Sequence, residues 1–456
     1  MAGLFKLTVS AGGLALLAGC TIYRPMPLPR EEARPDSVAK LTVDVVQMPF
    51  GELRAHPFDP TKPLDGDDLA MIAVVHNPQL RLARDDLAVA QAQSFAAGLL
   101  PDPQISLSRD HPIGGNTAGL TNAYSANITE DLIGLLQHAA HKRGAEDELK
   151  RVNLECLWQE WQVVSQVKLT WLRIKGEDAQ MDLLQDTRKL LAPRVAASRA
   201  ALAAGNTTHD AASGDEVALA GVERQINELE RNRVADRAAL NDMLGLANGA
   251  PLTLADVQSP IELDAARIRT DLAARIAQRP DMQALAAGYA SQEEAFRSAV
   301  LAQFPVLNVG LTRARDTGGV STLGFGLSLS LPIFNGGRGD IAVAKATRQR
   351  LYDEYQSRLG DARSEVQTAL ANQALLRDQL VRSQAGLRDL QALAKHADAA
   401  YAHGDMLGAD YVRLKSSLLD RQTEILNLQE AAAEQTLALE TLLGPNLATP
   451  AAGDTK

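Results

Sequence analysis

Side chains spaced to do chemistry are scarce in this sequence. Its 456 residues hold eight histidines and two cysteines. Only His138 and His141 stand three apart on one face of an expected helix, a spacing at which two imidazoles can share a metal ion. No carboxylate or thiol accompanies them, so the pair reads as surface residues at a helix start and no metal is expected. A phosphate-cradling glycine loop, a serine-nucleophile elbow and an H-E-x-x-H zinc helix are all absent. Cys156 lies alone in a helical pattern, far from Cys20, which leaves no structural disulfide to expect. The side chains therefore point away from catalysis: not an enzyme, no catalytic residue, no cofactor.

Bulk properties narrow the class further. A net charge of -10 disfavours a nucleic-acid partner. Only 4% of residues are aromatic and 22% are charged, in a chain rich in Ala and Leu, which suits long helices packed side by side. After the first twenty residues no apolar run is long enough for a membrane-spanning helix. Those first residues, "MAGLFKLTVSAGGLALLAGC", read as a secretory leader over residues 1–19. The "LAGC" end resembles a bacterial lipoprotein signal, which implies cleavage before Cys20 and lipidation of that thiol. Thr21, where an aspartate would be associated with inner-membrane retention, implies an outer-membrane address. Residues 20–64 are rich in Pro and charge and read as a lipidated, extended, non-globular arm.

The elements that follow are written twice. Pro78 meets Pro280, Leu99 meets Leu301 and Pro103 meets Pro305, all at one offset. Further on, Gly205 meets Gly404, Ile226 meets Ile425, and Leu244-Gly245 meets Leu443-Gly444 at an offset three shorter. A period this long means a duplicated domain rather than a solenoid. The domains expected are 65–247 and 265–445, joined by a linker at 248–264 and followed by a disordered tail at 446–456. Each copy opens with a proline-led helix, Pro78 to Leu99 and Pro280 to Ala302. Two alternating segments follow, read as strands. A very long helix comes next, from about Gln137 to Ala204 and from about Arg338 to His403, each on the order of 100 Å at the α-helical rise. In the first, Leu157, Trp161, Val164, Val167, Trp171 and Ile174 form a coiled-coil-like stripe. Pro193 is expected to kink or break that helix. A glycine turn and a return helix of about 39 residues close each copy, with Gly245 and Gly444 as expected C-caps.

The last strand is the most telling. From 323 to 331, Leu323, Phe325, Leu327, Leu329 and Leu331 share one face, and Gly324, Gly326, Ser328 and Ser330 share the other. Nine tilted residues cross a bilayer. Strands in lipid must close into a barrel, with the first face toward lipid and the second toward a lumen. Four strands per chain are too few to close one, so several copies must contribute.

These features resemble the TolC family of outer-membrane efflux proteins, over about residues 65 to 445. The marks are "LPIFNGGR" at 331–338, the duplicated proline-led helices and hairpins, the Tyr401-to-Gly404 turn and the terminal "LLG". The first copy departs from the pattern, with "ITEDLIGLLQH" at the strand-to-helix junction. The resemblance implies a mainly α fold with a small β part: a homotrimer whose α-helical periplasmic barrel continues into a twelve-stranded barrel in outer-membrane lipid. It implies a passive duct fed by an inner-membrane pump through a periplasmic adaptor protein, exporting drugs or heavy-metal ions. A type I protein-secretion channel or a periplasmic coiled-coil scaffold lipoprotein are the alternatives. It also implies a gate at the periplasmic turns. Asp410 matches a gate aspartate position, whereas Arg413 stands where a second acidic residue is expected. Asp405, His209 and Asp210 are the other turn residues that could hold the tip shut.

Overall fold

The computed structural model describes residues 23–30, 34–116, 118–257 and 265–443. The leader with Cys20, the tail and Gly444 lie outside them. The described residues fall into two units, divided between Arg34 and Pro35. In the first, residues 23–30 are exposed and carry almost no regular structure.

In the second unit the elements run α1 (Gly51–Ala55), α2 (Gly66–His76), α3 (Pro78–Ala97), β1 (Gln104–Asp110), β2 (Ala123–Asp131), α4 (Leu132–Ala203) and α5 (His209–Met243). Then come α6 (Ala265–Gln278), α7 (Pro280–Leu301), β3 (Val306–Arg315), β4 (Ser321–Ser330), α8 (Arg338–His403) and α9 (Gly408–Leu443). The order helix, hairpin, long helix, return helix thus occurs twice. α3 and α7 both start with a proline at the first turn, where the missing N–H costs nothing. The long helices have 72 and 66 residues. No described helix is long and apolar enough to cross a membrane.

Four expectations need correction. α4 begins at Leu132, five residues before Gln137, because Asp131 ends the strand and caps the helix, accepting from the Ile133 N–H at 3.0 Å. The second copy instead turns through Gly336 and Gly337, with φ of 56° and 67°, a left-handed conformation that suits glycine. Pro193 does not break α4, which runs on to Ala203. Leu191 and Val195 are buried on either side of it, and that packing outweighs one lost hydrogen bond. The return helices have 35 and 36 residues rather than about 39.

The fourth correction concerns the arm. Residues 35–64 run through two short 3-10 turns and α1, yet Val38, Leu41, Met48, Phe50, Leu53 and Leu64 are buried. Phe50 meets Trp161 of α4 edge-on at 5.0 Å. Leu64 pairs with the linker, its N–H donating to the Thr253 carbonyl at 2.8 Å. The segment is extended but packed. Its Pro and charge content hid a sparse set of core residues, each able to contribute about 1.5–3 kcal/mol when fully buried. It covers α2, a helix apolar on nearly every side that sequence reading missed. Gly245 ends α5 at φ 67°, and a Cβ there would stand 2.5 Å from the His76 carbonyl oxygen. The Leu246 N–H reaches back to the Asn241 carbonyl at 2.8 Å, as glycine C-caps do.

Candidate functional site: the sheet and the helix tips

The two hairpins join into one antiparallel sheet in the order β1-β2-β3-β4. Its register extends the β4 pattern across every strand. Phe325 pairs with Leu311, Leu311 with Ile128 and Ile128 with Ile105, and directly opposed residues share a face. Leu327 lies beside Val309, and Leu329 beside Leu307. The other face pairs Ser328 with Asn308, Gly326 with Gly310 and Gly324 with Thr312. On that face Ser108 and Ser125 hydrogen-bond at 2.8 Å, and Thr312 donates to Asn127 at 3.1 Å. One face of the sheet is therefore apolar and the other small and hydrogen-bonding. Every residue of β4 is exposed in the single chain, Phe325 at 74%. Such an apolar patch marks a contact with lipid or protein.

At the far end of the long helices the expected gate residues are exposed. Asp410 and Arg413 make an i,i+3 ion pair at 3.5 Å, with Arg413 77% exposed. His209, Asp210 and Asp405 are exposed near the turns, and His209 and Asp210 start α5.

The side chain that joins the two tips is one that sequence reading missed. Arg194 of α4 donates to Asp215 of α5 at 3.0 Å, where the Asp215 side chain is only 5% exposed. Its guanidinium lies 4.9 Å from the Tyr401 ring centroid and 5.6 Å from that of Tyr411. Those two rings stack at 4.5 Å. Cations over aromatic faces are attracted by the ring quadrupole. Ser198 donates to the second Asp215 oxygen. A Cβ at Gly408 would meet the tip of this guanidinium, so a larger residue there would push it aside. The Tyr411 hydroxyl donates to Asp398 at 2.8 Å, and burial and that carboxylate push its pKa up to about 12. Lys415 and the Tyr411 hydroxyl, both donating to Asp398, hold its carboxyl below the usual range. The available sequence signal was the pair of tyrosines flanking the Gly404 turn. The arginine that meets them is more than two hundred residues away.

Midway along α4 a third polar cluster is buried. Glu177 is 7% exposed and its Oε2 has no hydrogen-bond partner. Burial, with Asp236 and Glu430 adding repulsion against Arg233 and Arg173, pushes its pKa up to about 7. A Cβ at Gly176 would come 2.8 Å from Glu430 Oε2, so a larger residue there would displace that carboxylate.

The histidine pair does not converge on a metal site. His141 Nε2 meets the Ser298 hydroxyl at 3.1 Å, and the His138 ring is half-buried rather than on the surface. Among the described residues the one group whose ligand atoms approach each other is His56, Asp65 and Asp67. Those atoms are already engaged. Asp65 caps α2, His56 contacts Asp68 at 3.2 Å, and Lys168 contacts Asp67 at 2.5 Å.

Residues 273–445 match the family model described as outer membrane efflux protein. The cation efflux system protein CusC of Escherichia coli K12 is 24% identical over 408 residues, covering 82% of this chain and 84% of that protein. A crystal structure of CusC superposes with a TM-score of 0.70 at 20% identity, over 93% of this chain and all of that one. The outer membrane protein VceC of Vibrio cholerae gives 0.71 at 17% identity, over 83% of this chain and 96% of that one. The Campylobacter jejuni outer membrane channel CmeC gives 0.69 at 17%, over 94% and 95%. Residues 273–445 thus match the outer membrane efflux protein family, and the duplicated helix pairs and two-faced sheet give the chain the fold of these outer membrane channels.

Proposed function

We propose that three copies of this chain form the outer-membrane duct of a tripartite efflux system, and that the cargo is metal cations. The observation that carries the duct is the two-faced sheet. Its outer strands, β1 and β4, leave open edges, and backbone groups at an edge cannot stay unpaired in hydrocarbon. Pairing β1 of one copy with β4 of the next closes the ring, and three copies supply an even, twelve-stranded barrel. The apolar face then meets lipid and the small, polar face lines water. The long helices carry the duct into the periplasm, and a lipidated Cys20 adds a second hold on the membrane. A duct left open at the tip would leak, so the tips close at rest. Three Asp410 side chains near one axis would repel one another and draw cations, with Arg413 offsetting part of that charge. Arg194 binds the two hairpins of each copy together at the same level. Opening falls to a docked adaptor protein and pump, which supply the energy that a passive duct does not.

The metal cargo rests on the relatives named as cation efflux proteins and aligned over most of the chain. Deleting the gene in its host tests it. Inhibitory concentrations of copper, silver, zinc and cobalt salts should fall several-fold, and those of lipophilic dyes and antibiotics should not move. Sensitivity to the dyes alone would overturn the metal cargo.

A further inference from the structure

The outer end of the sheet carries charge on its apolar face. The register places Arg109, Tyr124 and Arg315 in one row across β1, β2 and β3, next to the hairpin loops. One row further in, on the same face, Arg313 stands opposite Leu323. All three arginines are exposed, and none is ion-paired with a carboxylate among the described residues. The Arg109 guanidinium lies 5.9 Å from the Tyr124 ring centroid. The Asn122 amide oxygen accepts from Arg109 Nη2 at 2.6 Å once that amide is oriented by its neighbours. On this face the one described carboxylate, Glu130, sits at the opposite end of the strands, beside Val309.

We propose that this row binds the phosphate groups of an outer-leaflet glycolipid, so that the barrel rim is girdled by anionic lipid head groups. The inference rests on the lipid-facing reading of the same sheet face. Arginines on a lipid face are tolerated near the interface, not at mid-bilayer. The row sits at the hairpin end, remote from the helices, which is the outer end of the barrel. Tyr124 is the interfacial aromatic of that level. Arg313, one step deeper, reaches the interface by extending along the strand. Guanidinium forks match phosphate oxygens two at a time. Arg109 and Arg315 flank Tyr124 from strands two apart, roughly 10 Å from one another. A disaccharide with a phosphate at each end can bridge that span.

The test uses the full-length trimer in phosphatidylcholine nanodiscs, titrated with bisphosphorylated lipid A and read by native mass spectrometry. Each surface arginine should contribute roughly fivefold to binding of an anionic lipid, so the triple variant Arg109→Gln, Arg313→Gln, Arg315→Gln should bind on the order of a hundredfold more weakly. Changing the same three residues to Lys should retain most of the affinity. Fully dephosphorylated lipid A should bind the wild type and the Gln variant alike. If the triple variant does not assemble, Arg109→Gln and Arg315→Gln alone should each show the fivefold loss. Equal affinity for bisphosphorylated lipid A with and without the arginines overturns the proposal. Displacement of the lipid by inorganic phosphate at equal concentration also overturns it, in favour of a free-phosphate site. A nitroxide on Leu327→Cys separates this failure from failure of the lipid-face reading. Relaxation by dissolved oxygen rather than by a water-soluble nickel chelate upholds the lipid face, whatever the arginines do.

Discussion

The two hairpin tips use the same bridge with the charges reversed. In the first copy Arg199 on the outgoing helix pairs with Glu216 on the return helix at 2.7 Å. In the second copy the equivalent positions hold Asp398 and Lys415, paired at 2.8 Å. The turn geometry calls for an attraction at that level and is indifferent to its sign. What differs is the surrounding. The first pair is exposed, whereas the Lys415 side chain is 16% exposed and lies over the Tyr411 ring at 5.4 Å. Duplication kept the position of the contact. Divergence supplied the tyrosines that Arg194 reaches from the other copy.

The opposite ends of the hairpins repeat the lesson. Before Pro78, Asn77 caps α3 with its side-chain oxygen and donates its amide to the Met243 carbonyl at 2.9 Å. Before Pro280, Arg279 donates to the Leu442 carbonyl at 3.1 Å. Each side chain ties the start of a proline-led helix to the end of a return helix. Arg279 does more, being fully buried, paired with Asp281 at 2.8 Å and placed 5.0 Å from the Trp158 ring. The largest effect expected is therefore at Arg279. Arg279→Ala would leave Asp281 to Arg358 alone and should cost about 3–5 kcal/mol, as broken buried pairs do. Asn77→Ala should cost about 1–2 kcal/mol, the range for a lost cap. Apparent melting temperatures of the two detergent-solubilised variants would rank them. A smaller loss at Arg279 would mean that the second copy does not depend on its buried pair.

The long helices differ in what they bury. α4 buries Glu160 and Glu177, whereas the buried residues of α8 include no carboxylate. Glu160 is paired with Arg84 at 2.6 Å, and Glu177 is raised to about 7. A carboxyl whose folded pKa lies above its unfolded value holds more protons in the folded state across that window. Stability then falls as pH rises, here between about 4.5 and about 7. Over that window Glu177 should cost the protein about 1–3 kcal/mol. Glu177→Gln should flatten that part of the profile and raise the melting temperature at pH 8. An unchanged pH slope would mean that Glu430, whose pKa is also raised by burial, carries the titration instead.

Much of this was legible in the sequence, because punctuation and periodicity are local. Pro78 and Pro280 marked helix starts, the Leu323-to-Leu331 alternation marked a two-faced strand, and the stripe from Leu157 to Ile174 marked the packed face of α4. What could not be read depends on partners distant in the chain. The buried arm residues are too sparse for a period. The apolar face of the whole sheet emerges only when β4 is registered through β3 and β2 to β1. Arg194 sits beside a proline on a surface-like stretch, and only the convergence of four helices shows what it touches. The turn carboxylates were visible as residue types, but their exposure was not.

The finest test of the comparison is a set of double-mutant cycles at the tips. Exposed ion pairs contribute about 0.2–1 kcal/mol, less as salt screens them. After the buried Arg194–Asp215 pair, Asp398–Lys415 should couple most strongly among the tip pairs, since its lysine is largely shielded and its carboxylate also accepts from Tyr411. Arg199–Glu216 should follow, and Asp410–Arg413, longer and more exposed, should couple least. If only the position of the bridge matters, giving the second tip the first tip's polarity should be tolerated. Asp398→Arg alone would set a cation beside Lys415 and lower stability. Adding Lys415→Glu should restore most of that loss. The restoration has one specific opponent: Arg194 lies over the same tyrosines, and a new carboxylate at 415 would stand near Tyr411 rather than across from it. A double variant as unstable as the single one would show that the tyrosine–Arg194 cluster has fixed the polarity of the second tip. The two tips would then be alike in geometry but no longer interchangeable in charge.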